Sequence, residues 1–310
     1  MKPKLFCGRS NPEFGNVVAK YLGIDLGKMT IKPFSDGELW VRFDENIRGE
    51  DVFIIQSTNP PDTNMIELLL MLDAAKRASA RRVTAVIPYY GYARQDRKDQ
   101  PRVPISAKLF ADLIQTAGAD RVVSMDLHSS QIQGYFNIPF DHLYSKKVLV
   151  GAIKSLEMDN MVVLAPDIGS VPMSRSYAKL LDASLAIIDK RRPEHNKAEV
   201  MHLIGEVEGM NVLIMDDMID TAGTLVAAAK KARSMGAISV NAAVTHGVLS
   251  GPALDRLGQA PIDRILVSDS IDVSMKKQEK KIMTVSVASV FGEAIQRIHN
   301  EESISVLFDV

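Results

Sequence analysis

Short apolar runs that alternate with helical stretches along the chain limit its fold more than any other feature. Lys4 to Cys7, Val52 to Gln56, Val83 to Pro88, Val122 to Asp126, Met161 to Ala165, Leu185 to Asp189, Val212 to Met215 and Ile238 to Thr245 are all strand-length. Runs apolar on both faces belong to strands buried on both sides, and helices between them make the strands parallel and covered. Leu39 to Phe43 alternates instead, in the manner of a half-exposed strand. Met65 to Ser79 reads as a helix, with Leu68, Leu69, Leu72 and Ala75 on one side and Asn64 available as its cap.

With 310 residues the chain can bury two cores. Aligning the strand ends reveals an internal echo. Val83 to Ile87 runs into Pro88-Tyr89-Tyr90-Gly91, and Met161 to Ala165 runs into Pro166-Asp167-Ile168-Gly169. Ser124-Met125-Asp126-Leu127 likewise parallels Ile214-Met215-Asp216-Asp217. We therefore expect two tandem α/β units, residues 1–145 and 146–287, joined after a turn region at Pro139 to His142. The last segment, about 288–310, is expected to pack back on the first unit. The second unit is longer by an insertion near Lys190 to Lys197, a charged segment after a buried strand, which reads as a functional loop.

Composition removes several classes of function. A hydrophobic fraction of 46% with 24% charged residues fits a globular protein, and a net charge of -1 gives no general pull toward nucleic acid or an anionic membrane. One cysteine, Cys7, precludes an intrachain disulfide and a multi-thiolate zinc site. The start, MKPKLFCG, lacks a signal-peptide core, and no run approaches the ~20 apolar residues of a membrane span. A reducing cytoplasm is the expected location.

Val212 to Thr224, reading VLIMDDMIDTAGT, names a ligand. The apolar run is expected to break at Asp216 and Asp217, followed by the small, hydroxylated stretch Thr221-Ala222-Gly223-Thr224 and an alanine-rich helix. A strand, a loop of small residues and a helix start leave backbone N–H groups free, and these suit a phosphate. Carboxylates beside such a cradle suit sugar hydroxyls or a metal, so the implied ligand is a phosphorylated sugar. Phe34-Ser35-Asp36-Gly37-Glu38 is a turn between strand patterns. Tyr92-Ala93-Arg94-Gln95-Asp96-Arg97-Lys98 follows a buried strand, where open α/β sheets place ligands, and its arginines suit polyphosphate oxygens. His128 by itself reads as an ordinary hydrogen-bonded residue, whereas Asp167, at a strand end, is a stronger candidate for a cation on phosphates.

The Val212 to Thr224 run resembles the ribose-5-phosphate loop of the type I phosphoribosyltransferase fold. The whole chain resembles the ribose-phosphate diphosphokinases. The likeness runs through Arg102 to Lys108, Asp126-Leu127-His128-Ser129, Pro166 to Gly169, Ile188 to Pro193, Thr245-His246-Gly247 and Glu302 to Phe308. It implies a magnesium-dependent enzyme that moves the β,γ-diphosphoryl group of ATP onto ribose 5-phosphate. The first unit would be the ATP-binding one and the second would bind ribose 5-phosphate.

Carried over residue by residue, the likeness implies that Phe34, Asp36, Gly37, Glu38, Arg94, Gln95 and Asp96 bind ATP. It implies that His128 and Asp167 hold Mg2+, and that Arg192, Asp216, Asp217, Asp220, Thr221, Ala222, Gly223 and Thr224 bind ribose 5-phosphate. Lys190 and Arg192 would be catalytic cations on a mobile loop. Arg48, Ser303, Ser305 and Phe308 would be regulatory, and the assembly a homo-oligomer, a dimer or hexamer. A phosphoribosyltransferase and a non-catalytic regulatory subunit are the rival readings. Absence of a G-x-x-x-x-G-K-[ST] run disfavours a P-loop NTPase.

This chain departs from the likeness in two places. Ser170 and Met173 stand where a glycine and a basic residue are common, with Pro172 tolerated in the first helical turn behind Ser170 or Val171 as cap. Ala222 stands where glycine is frequent, which requires an unstrained φ there.

Overall fold

The structure is a computed structural model that describes residues 2–191, 200–274 and 280–308. Two compact units divide the chain. The first comprises Met1–Ser145, Ser270–Asp272 and Val287–Val310, and the second comprises Lys146–Asp269 and Val273–Ser286.

The first unit opens with β1 (Lys4–Cys7), α1 (Pro12–Leu22), β2 (Met29–Pro33), β3 (Leu39–Phe43), β4 (Asp51–Ile55) and α2 (Thr63–Arg77). It continues with β5 (Arg82–Ile87), α3 (Ser106–Ala117), β6 (Arg121–Met125), a 3-10 turn at Ser130–Tyr135 and β7 (Phe140–Leu143). Its main sheet has the order β1-β4-β5-β6-β7 with every pair parallel. β4 is buried at all five positions, in keeping with a strand covered on both faces. β2 and β3 pair only with each other, as an antiparallel hairpin.

Pro139 to His142 is not a turn. The segment becomes β7, because Val122 to Met125 offers an open parallel edge and Phe140 to Leu143 pairs with it in register. Asn64 does not cap α2 either. It lies inside the helix, its amide donates to the Asn59 carbonyl at 2.8 Å, and Asp62 takes the cap position without a side-chain cap bond, its Oδ1 accepting from Tyr92 Oη instead.

A buried carboxylate holds the edge of this sheet. Glu67 of α2 is 2% exposed at its side chain and accepts from the Arg9 backbone N–H at 2.6 Å, Arg9 Nε at 2.7 Å and Gln56 Nε2 at 3.2 Å. A buried carboxylate with this many donors is satisfied, so the site joins β1, β4 and α2 instead of straining them.

The second unit contains α4 (Lys146–Lys154), β8 (Met161–Ala165), α5 (Val171–Leu181), β9 (Ser184–Arg191), β10 (Val200–Ile204) and β11 (Asn211–Ile219). After these come α6 (Gly223–Ser234), β12 (Ser239–Gly247), α7 (Ala253–Gln259), β13 (Arg264–Ser268) and β14 (Ile282–Val285). Its sheet has the order β10-β9-β8-β11-β12-β13-β14, parallel except where β9 turns back into β10. One core cluster packs α6 and α7 against β11 and β12, and another packs α4 and α5 against the opposite face. Both units are thus α/β layers.

The chain then returns to the first unit as α8 (Ala288–His299) and a 3-10 turn at Ser305–Leu307. Phe291 of α8 meets Phe14 of α1 edge-to-face at 5.4 Å, and Gly292 lies so close to Tyr21 that a Cβ would approach its ring to 2.3 Å. Asp51 secures the end of the helix. It accepts from Arg82 Nε at 2.8 Å and Nη2 at 2.6 Å and faces His299 Nδ1 at 2.8 Å, while Arg82 Nη2 also donates to the Ile298 carbonyl. No helix among the described residues is long and apolar enough to cross a membrane.

Candidate active site

The strand of the second unit that carries Asp216 and Asp217 does not break there. β11 continues to Ile219 because β12 keeps pairing with it, Asp216 against Val244 and Ile219 against Gly247. On its other side β8 is in register only as far as Ile214, so the acidic pair emerges where one neighbour has stopped. Asp167 follows the end of β8 and contributes to the field at the same place. Burial foremost, then the charges of Asp217 and Asp167, push the Asp216 carboxyl up to about 8. Its Oδ1 accepts the Asp217 backbone N–H at 3.0 Å.

Ala222 forms the corner between this strand and α6. It has φ 61 and ψ 6, left-handed, and its methyl is buried in the core. The unstrained φ expected from the sequence is therefore not found. A left-handed residue at 222 turns the chain from the strand that ends at Ile219 into the helix that begins at Gly223. Gly223, Thr224 and Leu225 then open α6, and their N–H groups are among the four a helix leaves without helical partners. Asp220, Thr221, Ala222, Gly223 and Thr224 are thus gathered around one helix start, with Asp216 and Asp217 just before them.

The departures from the family pattern are absorbed locally. Ser170 occupies the cap position of α5 but makes no side-chain cap bond. Its Oγ donates instead to the Asp167 carbonyl at 2.9 Å, and its N–H donates to Asp167 Oδ1 at 3.0 Å. Met173 packs, partly buried, against the α4–α5 core cluster.

In the first unit, the Phe34 to Glu38 turn caps the β2–β3 hairpin. Gly37 at φ 95 makes the turn, Glu38 N–H donates to Asp36 Oδ1 at 3.0 Å, and the Phe34 ring is 51% exposed. The Arg94 to Asp96 loop follows β5. Arg94 is exposed, whereas Gln95 Oε1 accepts from Ser106 Oγ at 2.5 Å at the start of α3. Asp96 Oδ2 accepts from Ser129 Oγ at 2.8 Å and Gln131 Nε2 at 2.6 Å, and its carbonyl accepts from Tyr135 Oη. Asp96 therefore ties the loop after β5 to the loop after β6, which carries the exposed His128. The Ser129 and Gln131 partnership had no signal in the sequence.

Some sites fall elsewhere. The Lys190 backbone lies in β9, opposite Met201 of β10, but its side chain and all of Arg192 lie outside the described residues. Ser303 and Ser305 meet, Oγ to Oγ, at 2.9 Å, and line a cavity of about 410 Å³ with Arg82 and Arg121. Arg48 and Phe308 are not among the residues lining it; Phe308 instead faces Tyr144 edge-to-face at 6.4 Å.

Comparison with known proteins adds a full-length match. Residues 3–118 match the N-terminal domain of ribose phosphate pyrophosphokinase, and residues 190–309 match the phosphoribosyl synthetase-associated domain. A ribose-phosphate pyrophosphokinase from Chlorobaculum tepidum is 55% identical over 99% of this chain and 95% of its own length. One from Synechocystis is 51% identical over 98% of this chain and 92% of its own length. The crystal structure of phosphoribosylpyrophosphate synthetase from Mycobacterium smegmatis superposes with a TM-score of 0.91 at 41% identity, covering 97% of this chain and 100% of that one. On this identity, coverage and structural agreement, the chain belongs to the ribose-phosphate pyrophosphokinase family.

Proposed function

We propose that this chain transfers the β,γ-diphosphoryl group of MgATP to the anomeric hydroxyl of ribose 5-phosphate. The anomeric oxygen attacks the β-phosphorus, the bond from that phosphorus to the α,β-bridging oxygen breaks, its electron pair leaves with AMP, and the hydroxyl proton passes to solvent. The observation that carries this reading is the Asp216–Asp217 pair near the end of β11, with five residues between it and the start of α6. Carboxylates there can hold ribose hydroxyls while the free helix amides take the 5-phosphate.

In the first unit, Phe34, Asp36, Gly37 and Glu38 on the hairpin and Arg94 after β5 are the residues that would hold ATP. Gln95 and Asp96 would act by shaping that loop, since their side chains already serve Ser106, Ser129 and Gln131. His128 in the first unit and Asp167 in the second are each a candidate ligand of Mg2+. No group of three or more His, Cys, Asp and Glu side chains among the described residues is placed to hold a metal. Magnesium keeps several waters and takes one or two protein ligands together with phosphate oxygens. The ion would neutralise charge on the transferred phosphates, as would Lys190 and Arg192.

A phosphoribosyltransferase would need the sugar-phosphate loop but not a matched first unit. Ser303 and Ser305, with Arg48 and Phe308, are the residues we take as regulatory; in the cavity the two serines line, Arg82 and Arg121 are already paired with Asp51 and Asp141, and Glu301 and Glu302 also face it. We also take the protein to be a cytoplasmic homo-oligomer, a dimer or hexamer, which sedimentation velocity tests. Exposed Ile66, Leu109 and Leu113 are apolar positions that an interface would cover. Turnover of ATP and ribose 5-phosphate with magnesium should yield AMP and phosphoribosyl pyrophosphate in equal amounts. No product, with and without phosphate, would overturn the reading.

A further inference from the structure

One segment of the second unit grips the sugar-phosphate loop from outside. Three consecutive carbonyls of that loop are each taken by residues 249–256. Leu249 N–H donates to the Ile219 carbonyl at 2.9 Å and Ser250 N–H to the Asp220 carbonyl at 3.0 Å. Arg256 Nη1, from α7, donates to the Thr221 carbonyl at 2.9 Å. Ser250 Oγ also donates to Asp220 Oδ1. The grip has its own irregular backbone, since Leu249 is buried with φ 49.

These bonds fall immediately before Ala222, where the chain turns left-handed into α6. A left-handed alanine is strained and persists only where its surroundings over-determine it. Bonding the carbonyls at 219, 220 and 221 fixes the peptide planes that lead into that corner. It also fixes the direction in which the N–H groups opening α6 point. The Arg256 guanidinium additionally lies 3.6 Å from where a Cβ on Gly223 would stand, so it closes over the outer side of the helix start.

We propose that Arg256 and Ser250 are positioning residues for ribose 5-phosphate, holding the Asp220 to Thr224 loop in its phosphate-receiving form. They act through the loop and do not touch the reacting atoms. This inference rests on the function proposed above. Arg256 is exposed, so its bond exchanges with water and its removal is not expected to unfold the unit.

The test is steady-state kinetics on the full chain, wild type beside Arg256→Ala, Arg256→Lys and Ser250→Ala, varying each substrate in turn. For Arg256→Ala the KM for ribose 5-phosphate should rise about tenfold, the scale of one lost charge-assisted hydrogen bond. The KM for ATP and the kcat at saturation should each move less than about twofold, as for loss of uniform binding. Arg256→Lys, which keeps a donor for the Thr221 carbonyl, should recover most of the effect. Ser250→Ala should share the ribose-5-phosphate-selective change. An unchanged KM for ribose 5-phosphate in Arg256→Ala overturns the proposal, and so does a silent Ser250→Ala beside a strong Arg256→Ala, which would mark direct charge on the phosphate. A wild type with no turnover would refute the proposed reaction itself, a result separate from either of these.

Discussion

Replacing Asp216 with asparagine should make the second unit more stable at neutral pH while damaging the site. In the folded chain the Asp216 carboxyl is pushed from the ordinary 3.8 up to about 8, by burial and by the charges of Asp217 and Asp167. Between those values the folded state holds a proton that the unfolded state has released. The favourable contribution is therefore complete below about pH 4 and is lost progressively as pH rises to about 8. A tenfold change in proton affinity between the two states is worth about 1.4 kcal/mol, and for a partly buried group that shares its charge with two neighbours we expect about 3 kcal/mol in total. The D216N side chain carries no titrating proton, so the stability of that variant should be nearly flat across this window and should exceed the wild type at pH 8. Trp40, the only tryptophan, lies in the first unit, so its fluorescence would miss the effect. Hydrogen exchange of β11 amides, followed by mass spectrometry from pH 5 to 8.5 and corrected for intrinsic rates, reads the second unit directly. Parallel wild-type and D216N profiles would show that Asp216 titrates normally and would refute the reasoning.

Other expectations follow from the same structure. Lys190→Ala should lower kcat far more than it raises the KM for ATP, if that cation acts on charge developing during transfer, and a normal kcat with a raised KM would remove it from that role. Ala222→Gly relieves the left-handed φ but removes a buried methyl worth about 0.8 kcal/mol and loosens the unfolded chain, so its stability by thermal unfolding should stay within about 1 kcal/mol of wild type. Glu67→Ala strands the Arg9 and Gln56 donors and should cost about 2–4 kcal/mol of first-unit stability in urea unfolding followed by Trp40 fluorescence. Cys7, whose thiol burial pushes up to about 12, should react with a disulfide reagent at pH 8 orders of magnitude more slowly in the native protein than in denaturant.

The parallel core was legible because its strands are short and apolar on both faces. β1, β3 and β8 lie where their residues alone place them, and β4, β5 and β6 are displaced by one residue at each end. What escaped was set by pairing. Phe140 to Leu143 has too little pattern to declare a strand until β6 offers its edge. Asp216 and Asp217 look like a strand end until β12 continues beside them. The site was legible where chemistry is written in residue type, as in the DD and TAGT runs, since carboxylates and small residues at a helix start carry their use with them. It was not legible where residue type is neutral. Ser129, Ser250 and Arg256 are ordinary in sequence and take their roles only from the carbonyl or carboxylate each one meets.

Interleaving the units along the chain constrains synthesis. Residues 1–145 leave the ribosome first, yet the first unit also needs α8, whose Phe291 packs on Phe14 and whose end is held by Asp51 and Arg82. Nearly the whole second unit is translated between those two parts. The amino-terminal sheet must therefore wait, with the apolar face of α1 uncovered, while about 140 residues emerge. At ~5–20 residues per second that wait is roughly 7–28 seconds. Nascent chains stalled before residue 288 should therefore bind chaperones through α1, and release should coincide with the emergence of α8.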